Sequence, residues 1–71
     1  MIKFENRSNG RYYYLAVQRD MLNEYVLIIM RGGRAANIVR RMGFSSALVL
    51  QDRIDQLSKR RLQRGYSLIH S

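Results

Sequence analysis

The chain has 71 residues, no cysteine, no proline and no tryptophan, and thirteen Lys and Arg against five Asp and Glu give a net charge of +8. This length allows one domain with a small core, and the missing cysteine excludes disulfide staples and thiolate metal sites. The charge points to a polyanionic partner, and all the cations but Lys3 and Lys59 are arginine, whose planar fork of donors suits phosphate.

The elements are read in chain order. "MIKFEN" alternates Ile2 and Phe4 with Lys3 and Glu5, the pattern of a half-buried strand. Asn9-Gly10 is a preferred tight-turn pair. "RYYYLAVQR" predicts a second strand, with Tyr13, Leu15 and Val17 on one face and Tyr12, Tyr14 and Ala16 on the other. Asp20 and Asn23 mark the next turn. "EYVLIIMR" is apolar on both faces and predicts a central strand covered on both sides. Gly32 and Gly33 follow and imply a turn that needs left-handed backbone or close approach. "NIVRRM" predicts a shorter fourth strand.

From Ser45 the period becomes helical, with Ala47, Leu50, Ile54, Leu57 and Leu62 on one broad face. The helix is expected to run from about Ser46 to Arg64. Ser45 or Ser46 can cap its start, basic residues suit its end, and Gly65 can stop it in left-handed backbone. "YSLI" is a last extended piece, and His70 reads as a frayed tail residue. The order β-β-β-β-α-β predicts an α+β domain spanning 1–71, a small antiparallel sheet of four or five strands with one helix packed on it. Leu15, Val17, Leu27, Ile29, Ile54 and Leu57 are the expected core. Leu48 and Val49 leave the helix stripe, either to pack in its first turn or to contact another chain.

"GRYYYLAVQ", "YVLIIMRGGRAA" and "FSSALVLQDRIDQLSKRRLQRGY" together resemble the WGR domain, a module of poly(ADP-ribose) polymerases and of many small bacterial proteins. The likeness covers residues 10–69, and its most specific part is Gly65-Tyr66 after "KRRLQR". Gly33 and Arg34 match the Gly and Arg of the signature, while Gly32 stands in place of its tryptophan. Arg11 matches the family's basic residue before the strand aromatics. The resemblance implies phosphate contacts from Arg34 and Arg11 without the ring that packs against a DNA end.

These readings converge on a nucleic-acid-binding module, with duplex DNA favoured, held through phosphate and with little sequence choice. Arg11, Arg31 and Arg34 are the expected contacts, Arg40 and Arg41 extend them, and Lys59, Arg60 and Arg64 form a second basic cluster. A variant has an exposed tyrosine stacking unpaired bases. The alternative function is a protein-interaction or homodimerisation module docking through Met21, Leu22, Leu48 and Val49. No phosphate-cradling loop motif and no acid–base constellation is visible, so neither enzyme nor cofactor is expected. The charged start and the short apolar runs suggest a cytoplasmic protein without a membrane segment.

Overall fold

A computed structural model describes residues 1–22, 24–33 and 37–71; Asn23 and Arg34 lie outside them. Five strands and one helix follow in the order β1 (Ile2–Asn6), β2 (Arg11–Arg19), β3 (Tyr25–Gly32), β4 (Asn37–Phe44), α1 (Ala47–Gln63) and β5 (Ser67–His70). All pairings are antiparallel, in the sheet order β4-β3-β2-β1-β5. The expected α+β architecture is therefore present. The fourth strand is longer than "NIVRRM", because Gly43 and Phe44 also pair, with Val26 and Tyr25. His70 is part of β5 and pairs with Lys3 rather than fraying.

Two turns, one centred on an asparagine and one on an aspartate, set the registers. Asn6 Oδ1 accepts from Ser8 N at 3.0 Å and Ser8 Oγ at 2.6 Å, and Gly10 closes the β1–β2 hairpin at φ 73°. Asp20 Oδ1 accepts from the amides of Leu22 and Glu24, each at 2.9 Å, in the β2–β3 turn.

β4 and β5 lie on opposite edges of the sheet, so α1 has to carry the chain across it. A helix of 17 residues is about 25 Å long, and five strands span about 19 Å. One helix is thus long enough for the crossing. Ser46 caps its start, with Oγ accepting from Val49 N at 3.4 Å. Gly65, at φ 88°, turns the chain back at its end, as expected.

The core lies between α1 and one sheet face: Phe4, Tyr13, Leu15, Leu27, Ile29, Leu50 and Ile54 are buried. Leu57 is packed against this cluster and only half-buried. Val17 is 47% exposed, contrary to expectation. The β1 register stops at Ile2 opposite Leu15, so no β1 residue stands beside Val17. Leu62 is also exposed, and Arg61 is buried in its place. Buried and half-buried positions run 50, 54, 57, 58 and 61, a stripe of helical period that 62 leaves by about 100°.

The opposite sheet face carries Lys3, Glu5, Tyr12, Tyr14, Ala16, Val26, Ile28, Met30, Val39 and Arg41 by register. No helix lies over it among the described residues. β3 is therefore covered on one side only. Ile28 is nonetheless 7% exposed, flanked by Ala16 and Arg41.

A domain this size has roughly 4–10 kcal/mol of stability in total. Leu27 is fully buried. Leu27→Ala is expected to cost about 2–5 kcal/mol, read as a lower urea midpoint.

Candidate nucleic-acid interface

The helix crossing brings two sets of arginines together along the helix side of the sheet. From the sheet come Arg11, Arg31 and Arg40, which share the helix-side face with Tyr13 and Ile29. From the helix come Arg53, Arg60, Arg61 and Arg64. These seven line two concavities, with Arg31 and Arg61 common to both. The first runs between β3, β4 and α1, over Tyr13, Ile29, Met42 and Leu57. The second lies beyond the strand ends, among Asn9, Arg11, Tyr12, Gly32, Gly33, Ile38, Arg64 and Tyr66. Among the described residues, no carboxylate lines either one.

Local structure fixes each contributor. Asn9 Oδ1 accepts from Arg11 N at 2.9 Å, which holds the start of β2. Gly33 supplies the close approach anticipated for the glycine pair. A Cβ built there would stand 3.3 Å from Arg11 Cγ, tighter than most real contacts. Left-handed backbone is used at Gly10 and Gly65, whereas Gly32 is strand residue paired with Tyr12 and Asn37.

Arg61 is the floor of the groove. It is 7% exposed, and its Nε is buried without a hydrogen-bond partner. The guanidinium carbon lies 4.2 Å from the ring centroid of Tyr13 and 5.5 Å from that of Tyr66. The Gly65 reversal makes the second contact possible, and Tyr66 N donates to Arg61 O at 3.0 Å. Aromatic faces stabilise a desolvated cation by about 0.5–2 kcal/mol. An unmet buried donor costs about 1–3 kcal/mol. The two terms nearly cancel, so this arginine adds little to folding and leaves an uncompensated positive charge beneath the groove.

The expected residues divide accordingly. Arg11, Arg31, Arg40, Arg60 and Arg64 come together, and the two basic clusters read from the sequence are one. Arg41 does not join them: it pairs with Ile28 and belongs to the opposite face. Lys59 is exposed and lines neither concavity. On a helix, position 59 lies about 120° from the stripe shared by 53, 60 and 64. Arg34 falls outside the described residues. Arg53 and Arg61 were missed; their spacing from 57, 60 and 64 carried the signal, and their charge hid it.

Among the described residues, no group of three acidic or histidine side chains could hold a metal, and no helix is long and apolar enough to cross a membrane. No protein-family model, no curated protein and no solved structure matches the chain.

Arg61→Met keeps an unbranched apolar stem and removes both the charge and the orphan donor. Its thermal stability is expected to stay within about 1 kcal/mol of wild type, since the cation–aromatic gain and the donor penalty offset each other. A loss of several kcal/mol in a calorimetric scan would make Arg61 a structural brace instead.

Proposed function

We propose that this protein binds nucleic acid, duplex DNA by preference, by laying a phosphate backbone in the arginine groove. The supporting observation is the set of seven arginines converging without a carboxylate, one of them buried and unpaired. Like charges held close repel one another, and a polyanion relieves that repulsion while meeting the free guanidinium donors. A carboxylate partner would have served folding; its absence from the lining favours an external anion. Phosphate contacts position a duplex without reading its sequence, so little base preference follows. The resemblance to the WGR domain supports the same reading, as a proposal resting on the quoted residues. Gly32 in place of the tryptophan argues for Coulombic holding over stacking at a DNA end.

A second reading has its own observation. Met21 is 100% exposed, Leu22 82%, Leu48 81% and Val49 57%. Leu48 and Val49 are thus not packed in a first-turn core. All four lie towards the end where Tyr25 pairs with Phe44, away from the groove. They support a contact with a protein partner or a second copy at that end, compatible with DNA at the other.

For the favoured reading, affinity for duplex DNA should fall steeply with salt, each neutralised phosphate contributing a slope of about −0.9 in a log–log plot. Arg31 lines both concavities. Arg31→Ala should weaken binding to all duplexes alike and lower that slope by about one. Blunt linear and circular duplexes should bind similarly. Fluorescence anisotropy titrations at several salt concentrations check this; salt-independent binding, or none, removes the reading.

A further inference from the structure

We infer that the sheet face opposite the helix is a second site, on which an unpaired nucleic-acid strand leaving the arginine groove stacks its bases on Tyr12 and Tyr14. The inference rests on the groove reading and adds the form of the ligand: duplex DNA with a single-stranded extension.

Three observations carry it. Tyr12 and Tyr14 lie two apart on β2, so they share that face, and their ring centroids are 4.8 Å apart with a 37° tilt. Both residues are half-buried, so part of each remains open to solvent. Tyr12 OH donates to Asn37 Oδ1 at 2.6 Å, which fixes the pair from the β4 side.

The residue opposite Tyr12 on β3 is Gly32. A strand glycine projects nothing across the face, so the Tyr12 side chain can lie across β3 and reach Asn37 on β4. Gly32 needs no left-handed backbone. Room for the Tyr12 ring across β3 is therefore a reason for glycine there that turn geometry does not supply.

The third observation is continuity. The concavity that holds Arg11, Arg31, Arg61 and Arg64 is also lined by Gly32 and Tyr12. It wraps from the helix side round the strand ends to Tyr12, the nearer residue of the pair. A backbone seated on the arginines is led to Tyr12 from the β3 side, while Glu5, half-buried on β1, stands on the other side of that ring. Lys3 Nζ stands 5.4 Å from the Tyr14 centroid, and Arg41 lies on the same face, so cations continue along the path. Positive charge beside stacked aromatics is the combination that binds single strands without sequence choice.

A protein helix is the less suited occupant. The centre of this face has little left to bury: Ile28 is 7% exposed, and Ala16, Val26 and Met30 are half-buried. The aromatic edges and the cations are what it offers.

The test compares a blunt duplex with the same duplex carrying a single-stranded extension of about six nucleotides, on either strand. Wild type should bind the extended DNA about tenfold tighter, the size of one good base–aromatic stack. With no tryptophan in the chain, tyrosine emission reports directly, and the extension should quench it more than the blunt duplex does. Tyr14→Leu should lose most of the gain and leave blunt-duplex affinity unchanged, while Tyr14→Phe should keep it. Equal wild-type affinities, or a gain that survives in Tyr14→Leu, overturn the inference and leave the groove standing. A sedimenting dimer whose tyrosine emission ignores DNA also overturns it, by giving the face to a second copy. No binding of either DNA removes the groove and this site together.

Discussion

Chain connectivity puts β4 and β5 at opposite edges of one sheet, and a single helix has to join them across a whole face. Much else follows from that crossing. The helix starts beside the Phe44 end of β4 and finishes beside the β1–β2 hairpin, where Ser67 pairs with Glu5. Its last turn carries Arg60 and Arg61, as the helix dipole favours. The same end of the sheet carries Arg11 and Arg31. Topology and dipole together therefore concentrate positive charge at one pole, and the exposed apolar residues Met21, Leu22, Leu48 and Val49 are left at the other.

Arg61 shows how this charge is held. Most buried arginines are met by a carboxylate, which neutralises them and contributes to specificity of packing. Here two tyrosine faces do the work, and they leave the charge in place. Tyr13 belongs to the core through Phe4 and Leu15, and Tyr66 is returned to the helix by Gly65. The groove floor is thereby tied to the most buried part of the fold. Its cation is preorganised: little side-chain entropy remains to be lost when an anion arrives.

Much of the fold was legible because simple periods produced it. Alternation placed Tyr13 and Leu15 opposite Tyr12 and Tyr14, and Ser46 and Gly65 marked both helix ends. The misreadings have physical sources. Val17 fits the alternation, but where β1 ends is a matter of register, which no single strand encodes. Leu62 reads as part of the broad apolar helix face, whereas helix geometry gives that place to Arg61, whose charge lies against Tyr13 and Tyr66. β3 reads as doubly covered because it is apolar on both faces; its neighbours within the sheet shelter Ile28 without a second layer. Within the candidate site, the arginines of adjacent residues separate by strand alternation, Arg40 to the groove and Arg41 to the far face. That separation could have been read from the sequence. The joining of helix and sheet arginines into one groove could not, because it depends on the direction in which the helix crosses.

The most direct test of the central claim is a map of where duplex DNA touches the protein, from backbone amide and arginine Nε shifts in 15N-labelled protein. Binding in the groove predicts the largest perturbations at Arg11, Arg31, Arg60, Arg61 and Arg64, including the buried Arg61 Nε, with Met21, Leu22, Leu48 and Val49 unchanged. Perturbations confined to that apolar pole, or spread evenly over every exposed arginine with Arg61 unaffected, would contradict it.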